Sequence, residues 1–307
     1  MASALDLGLG LTSRAVLGNQ VWQPSHGWSG GVAIDIALDA EVASTVYQSD
    51  LSDSSGDPTG SASALGASDN TEYVGTWFNT LSTTAFLATS DENSGGEGAY
   101  ALDPINGTAR TVGADGNSRW GFMSSDSAKY GSNNATQVVG FSYLPLATSA
   151  QSKVLLSKDN KSKFFTGYGL FGLNIEKYIY NYNSANGSVQ SHTAQAEADY
   201  YWQSIIFVFT DTGTANLKVY ITKAGDTLDT ASRGSNGNLE MDFQPFSNGS
   251  DGYDENEPWM INTTTFGTSG LGPGGNFHRM VFDQGNTPDT IDLQNLHKWL
   301  TVRVEGS

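Results

Sequence analysis

Residues 200–230 read YYWQSIIFVFTDTGTANLKVYITKAGDTLDT. Two strand-forming runs, residues 202–210 and 217–222, flank the short polar turn Asp211-Thr212-Gly213-Thr214. Runs rich in Ile, Val, Phe and Tyr around a Gly-containing connection of this length predict a β-hairpin. The first run is apolar on both parities, with Trp202, Ile206 and Val208 on one and Ile205, Phe207 and Phe209 on the other. The second alternates, with Leu217, Val219 and Ile221 against Lys218, Tyr220 and Thr222. A strand buried on both sides next to a half-wet one is the pattern of two packed sheets.

The rest of the chain agrees with that reading. Its 307 residues are enough for one large β domain or two smaller ones, with a core that folds without staples. There are 36 glycines and no cysteine, so neither a disulfide framework nor a Cys-ligated metal is expected. The start, MASALDLGLGLTSR, has no basic segment ahead of a continuous apolar stretch, which predicts synthesis in a host cytoplasm without a secretory leader. No run approaches the roughly 18 apolar residues of a membrane span, so no membrane insertion is expected.

The formal net charge of −17 argues against nucleic acid, because phosphate binding needs clustered Lys and Arg. Many of the acids fall in polar segments: Asp50, Asp53 and Asp57; Asp91, Glu92 and Glu97; Asp251, Asp254, Glu255 and Glu257. Solubility explains most of them. Calcium is the cofactor such segments would take, with Asp251, Asp254 and Glu255 as its ligands, although the spacing is not that of a helix–loop–helix site. The basic cluster Lys153, Lys158, Lys161 and Lys163 reads as a guard on a hairpin edge.

Three zones follow. Residues 1–20 form an arm or edge strand with Leu5, Leu7, Leu9 and Leu11 alternating. Residues 21–128 form an N-terminal β region with strands predicted at 32–38, 72–78, 84–88 and 119–123 and long polar loops between them. Residues 129–307 form a β-sandwich, with strands at 137–144, 153–157, 168–175, 178–182, 202–210, 217–222, 239–243 and 276–282. A single helix is predicted near the C-terminus, with Thr287 as cap, Pro288 at its first position, and Leu293, Leu296 and Leu300 on one face.

From Ala135 onward the order of elements resembles the concanavalin A-like, laminin G-like jelly rolls of phage virion and bacterial surface proteins. The resemblance rests on QVVGFSYLP at 137–145, KVLLSK at 153–158, YGLFGL at 168–173, the Trp202-led strand with LKVYI at 217–221, and FHRMVF at 277–282 followed by the helix. After Ile221 the chain has Thr-Lys-Ala-Gly where the family commonly has an Asn-Gly turn, and residues 1–128 have no clear counterpart. The resemblance implies an all-β, antiparallel two-sheet jelly-roll sandwich with long polar loops and one short C-terminal helix. Members of the family include lectins, adhesion modules, enzymes and virion proteins, so the fold leaves the function open.

Catalytic patterns occur without their context. Gly27-Trp-Ser29-Gly-Gly31 satisfies the nucleophile-elbow consensus, but neither an apolar strand before it nor a helix after it is predicted. Gly270-Leu-Gly-Pro-Gly-Gly275 satisfies a dinucleotide consensus, yet a proline interrupts it and a strand follows. Leu239-Glu240-Met241-Asp242-Phe243-Gln244 is similar to the Glu-x-Asp-x-Glu strand of retaining glucanases on this fold. Gln244 stands where the acid/base would be and cannot transfer a proton. No catalytic residue is assigned.

His26, His192, His278 and His297 show no metal-ligand spacing and read as structural. Six Asn-x-Ser/Thr sequons, at Asn106, Asn134, Asn160, Asn186, Asn248 and Asn262, match the rate expected by chance in a chain this rich in Asn, Ser and Thr. The aromatics are more pointed. Tyr178, Tyr180 and Tyr182 alternate, and Tyr253 and Trp259 sit in the acidic segment DGYDENEPWM. Aromatic planes with neighbouring acids suit a glycan, so Tyr253, Trp259, Asp251 and Asp254 are the expected glycan site, against a rim or subunit-interface packing role.

The expected function is a non-enzymatic phage virion protein, a tail fibre, tail-associated or capsid-surface decoration protein. It would contact other virion subunits, as a trimeric or lattice homo-oligomer at the virion surface, or attach to a cell-surface glycan. The alternatives are a free microbial lectin-like protein and a glucanase-like glycoside hydrolase.

Overall fold

The computed structural model describes residues 22–48, 74–82, 85–89, 99–114, 121–124, 136–145, 152–153, 156–158, 171–172, 178–183, 188–193, 201–210, 216–231, 239–242, 259–261 and 275–304. Eighteen strands lie in these stretches. In the first half they are β1 (Ile36–Asp39), β2 (Val46–Gln48), β3 (Val74–Phe78), β4 (Ala85–Thr89), β5 (Ala99–Leu102), β6 (Arg110–Ala114), β7 (Gly121–Ser124) and β8 (Gln137–Pro145). They continue with β9 (Ser152–Lys153), β10 (Leu156–Lys158), β11 (Phe171–Gly172), β12 (Tyr178–Asn183) and β13 (Ser188–Thr193). The last are β14 (Gln203–Thr210), β15 (Asn216–Lys223), β16 (Leu239–Asp242), β17 (Trp259–Ile261) and β18 (Gly275–Gln284), followed by helix α1 (Thr290–Thr301).

The fold is an all-β, antiparallel jelly-roll sandwich with one short C-terminal helix. Its largest sheet has eight strands in the order β16-β15-β14-β8-β18-β6-β5, with β1 also on β18. A six-stranded sheet runs β10-β17-β7-β4-β3-β2, and a four-stranded one runs β13-β12-β11-β9. Strands from both sides of residue 129 share the two larger sheets. β18 holds the largest sheet together. One side pairs with β8, while the other is divided between β6 at Gly275–Phe277 and β1 at Arg279–Phe282.

The hairpin expected at 202–222 forms, with Ile205 in register opposite Ile221 and Phe207 opposite Val219. Trp202 to Val208 are all buried, for a different reason on each face. One parity carries Ile205 and Phe207, and Phe207 joins an aromatic chain in which ring centroids lie 6.0 Å apart from Phe207 to Phe141, 5.8 Å from Phe141 to Phe277 and 5.2 Å from Phe277 to Tyr143. The other carries Ile206 and Val208 and is covered by Leu293, Leu296, Trp299 and Leu300 of α1, with Trp28 and Ile34. Leu296 and Leu300 settle over Gly140, where an added Cβ would lie 3.2 Å from Leu296 Cδ2.

Three local expectations shift. α1 is capped by Asp289 rather than Thr287, because Asp289 and Asp292 form a reciprocal capping box at 2.9 and 3.2 Å. Carboxylates are stronger partners than a hydroxyl for orphan N–H groups at the positive helix end. Thr287 instead meets the Thr136 hydroxyl at 2.9 Å. The strand expected at 32–38 starts only at Ile36, because Val32 closes a turn and the Asp35 N–H donates to the Asp283 side chain. Within 153–157 two short strands replace one. β9 and β10 are both sheet-edge strands, which places Lys153 and Lys158 at edges, where lysine discourages further pairing.

Candidate functional site

Of the expected glycan and calcium residues, Asp251, Tyr253, Asp254 and Glu255 lie outside the described residues. Trp259 opens β17 and stands in register opposite Lys158 of the edge strand β10. Among the described residues no group of three or more His, Asp or Glu could hold a metal ion. Glu240 and Asp242 lie on β16, at one edge of the largest sheet, in register opposite Lys218 and Asn216. A Glu–Lys register pair is an ordinary cross-strand charge pair. Gln244 lies outside the described residues.

The Gly27–Gly31 motif is a turn. Gly31 N–H donates to Trp28 O at 2.8 Å and Trp28 N–H to Val32 O at 2.9 Å. Gly27 is required there. Its φ is +70°, and a Cβ would sit 2.4 Å from Val32 O. Ser29 at the tip is tied to the start of α1, its N–H donating to Asp292 Oδ1 at 2.8 Å and its hydroxyl lying 3.1 Å from Asp292 Oδ2. Trp28 Nε1 donates to Asp283 Oδ2 at 2.7 Å, and Trp22 stacks on Trp28 at 5.9 Å. Burial raises the Asp283 carboxyl above its usual range, opposed by the hydrogen bonds from Trp28 and Asn286. Residues 22–35 therefore form a strap over α1 and the end of β18.

A second polar centre lies where β1 and β6 part along β18. The register passes from Phe277–Tyr143 to Met280–Phe141, so His278 and Arg279 share one opposite residue, Ser142, in a β-bulge. Ser142 Oγ accepts from Arg279 N at 2.8 Å and reaches Arg279 O at 3.4 Å, filling the interrupted ladder. The bulge turns Arg279 beneath the helix. Its Nη1 donates to Trp299 O at 2.6 Å, its guanidinium lies 5.0 Å from the Trp299 ring, and its Nε is 3.0 Å from Asp39 Oδ2. That last contact is a buried ion pair without the alignment of a hydrogen bond. The cation also faces the negative end of the helix dipole.

His278 donates from Nδ1 to Arg110 O at 2.7 Å, since a carbonyl only accepts, which leaves Nε2 buried without a hydrogen-bond partner. Burial lowers its pKa to about 4, with Arg279 adding to the effect. Close by, the Tyr100 hydroxyl donates to Ala40 O at 2.7 Å and is pushed up to about 12, chiefly by burial.

Ser204 and His297 have the form of a nucleophile and base. His297 Nε2 donates to Asp226 O at 2.9 Å, so its Nδ1 accepts from the Ser204 hydroxyl at 2.6 Å. Both are buried, Ser204 fully, so no substrate reaches the hydroxyl. The pair clamps α1 and the segment after β15 onto β14. Neither this pair nor the bulge was visible as a motif, because each joins residues 93 or more positions apart.

The four-stranded sheet holds the other group noted in the sequence. On β12 and β13, Tyr178 pairs with Thr193, Tyr180 with Ser191 and Tyr182 with Val189. These six positions share one face of the ladder. Ile179, Asn181 and Asn183 with His192, Gln190 and Ser188 take the other.

No family model matches the chain, and no curated protein matches it significantly. Among solved structures it is similar to a GH54 α-L-arabinofuranosidase soaked with a cyclic sulfate inhibitor, at a TM-score of 0.50 and 10% identity. That match covers 90% of this chain and 64% of the other, so the chain spans just under two thirds of that enzyme's length. It is also similar to domain 4 of AbnA, a GH43 extracellular arabinanase from Geobacillus stearothermophilus, in complex with arabinotriose (TM-score 0.43, 13% identity, 75% of this chain and 93% of that one). A chain of botulinum neurotoxin type C, whose cell entry depends on two ganglioside molecules, matches at a TM-score of 0.44 and 12% identity, over 76% of this chain and 50% of that one. The first likeness agrees with the sandwich architecture; the other two are too loose to add to it.

Proposed function

We propose that the chain is a non-enzymatic binding protein, a structural component of a phage virion surface that contacts other subunits or a cell-surface glycan. The observation that carries contact over catalysis is the placement of its described acid–base groups. Ser204–His297 is enclosed under α1, Ser29 is held by helix-capping carboxylates, and Arg279–Asp39 braces the sheet against the helix. The sandwich shared with the arabinofuranosidase supports the architecture alone at 10% identity. The free lectin-like protein is the second reading, and it differs in assembly.

Light scattering on the purified chain separates them. A trimer or an extended lattice is the expected result, and a monomer at micromolar concentration points to the free lectin. A hydrolysis screen on β-glucans tests the enzymatic alternative, since turnover abolished by Glu240→Gln would replace contact by catalysis.

A further inference from the structure

We propose that α1 is an acid-releasable cover on the largest sheet, fastened by two clamps that each contain a buried histidine, an inference independent of the contact function above. The first clamp is Ser204–His297. His297 is 4% exposed and uses both ring nitrogens, Nε2 donating to Asp226 O and Nδ1 accepting from the Ser204 hydroxyl. A second ring proton makes Nδ1 a donor, so the fully buried hydroxyl must turn its hydrogen away from its present acceptor. Asp226 is the charged residue beside this ring, and its carboxylate offsets part of the cost.

The second clamp is Arg279, whose Nη1 holds Trp299 O in the last turn of α1. Its neighbour in the bulge, His278, is wholly buried, with Nδ1 on Arg110 O and Nε2 without a hydrogen-bond partner. A proton on Nε2 buries a second cation beside Arg279, and Arg303, just past the helix, repels it as well. Asp39 is the nearby carboxylate, and it is already paired with Arg279. The other charges of this corner are engaged too: the Arg110 guanidinium lies over the Tyr100 ring, and Glu41 accepts from Arg110 N and lies 3.8 Å from Arg303. Lifting the helix lets water reach both rings and separates His278 from Arg303.

Between the clamps Leu293, Leu296, Trp299 and Leu300 rest on Val138, Ile206, Val208 and Val281. The helix closes no ladder, since β14 is bonded to β8 and β15, and β18 to β8, β6 and β1. It is also the last element among the described residues, so it can lift without breaking a strand pair. Lifting bares an apolar sheet face that neutral pH keeps covered. Burial lowers both histidines, so closure is at full strength above about pH 6.5 and weakens as pH falls. For His278, lowered to about 4, the opening equilibrium at pH 5 rises by at most about thirtyfold.

Amide hydrogen exchange of the full-length chain at pH 7.5 and 5.0, in low urea and corrected for the intrinsic pH dependence of exchange, tests this. Amides of 290–301 should exchange through an opening with little urea dependence, about tenfold or more populated at pH 5.0 than at pH 7.5. Those of 137–145 and 203–210 should exchange more slowly than the helix at both pH values, with the steep urea dependence of global unfolding. Returning the sample to pH 7.5 should restore the protection of the helix. The double variant His278→Gln/His297→Gln should keep the local opening and change it less than about threefold over the same pH step. Helix exchange at the rate and urea dependence of the strands at both pH values would overturn the local cover. A local opening that acid leaves unchanged would overturn the acid response, and a tenfold shift kept by the double variant would overturn its histidine origin. Where the double variant fails to fold, Arg303→Gln supplies the second reading, since removing the cation that repels protonated His278 should shrink the shift. An undiminished shift in Arg303→Gln would overturn the second clamp.

Discussion

Ser204 and His297 meet at 2.6 Å between β14 and the helix, with no solvent reaching the hydroxyl. The contact has the chemistry of a catalytic pair and the environment of a packing contact. Ser204→Ala strips His297 Nδ1 of its donor and leaves it buried. The expected cost is about 1–3 kcal/mol, read as a lower urea midpoint with an unchanged slope. Hydrolytic activity appearing in the wild type and lost in this variant would contradict the structural role.

Acid should destabilise the fold through its buried histidines. His278 is lowered to about 4 and His297 is also lowered, both chiefly by burial. Below the unfolded value of about 6.5 the unfolded state takes up protons that the folded state refuses. Stability is therefore fully present above about pH 6.5 and falls as pH drops, levelling off for His278 near pH 4. For His278 the ceiling is about 3 kcal/mol, and urea midpoints measured from pH 7.5 to 4 check it. His278→Gln should flatten the curve in that window.

The Arg279–Asp39 pair is expected to be costly to break from either side. Asp39→Ala leaves a buried guanidinium that, among the described residues, keeps Trp299 O and the Trp299 ring, and about 3–5 kcal/mol should be lost. Replacing both residues with apolar side chains of similar volume should recover much of that. Thermal melts of the two single variants and the double variant measure the coupling.

Gly275 should tolerate no side chain. Its φ is +133°, and a Cβ would lie 2.4 Å from Leu144 O and 2.5 Å from Tyr143 Cε2. The obstruction includes backbone, so Gly275→Ala should cost more than Gly140→Ala, where the flexible Leu296 side chain can yield. Comparing the melting temperatures of the two variants tests the ranking.

Strands with dense apolar runs were legible in the sequence, β8, β14, β15 and β18 above all. β13 was not, because SVQSHT has one aliphatic residue, and its strand character comes from pairing with β12. β5 and β6 were missed for a related reason, since AYAL and RTVGA are short and mix small with polar residues. The burial of β14 on both faces was readable in the alternation, but the helix as cover for one face was not, because nothing local tells Leu296 that it will lie on Gly140. The polar centres were invisible for the same reason. Ser142, Arg279 and Asp39 come together only through a bulge in a ladder between distant strands. Of the expected sugar-contact residues, Asp251, Tyr253 and Asp254 lie outside the described residues and Trp259 lies on β17, whereas Tyr178, Tyr180 and Tyr182 were legible as an alternation and gained their partners only from the register.

β18 sits in the middle of the largest sheet, yet it is the last strand in the chain order. During synthesis β1, β6 and β8 must therefore emerge and wait, each with a hydrogen-bonding edge that only β18 will occupy. Until it arrives these edges are open to strands of neighbouring nascent chains, so crowded polysomes are where this protein is most exposed to aggregation. Closing contacts this distant in sequence also slows folding.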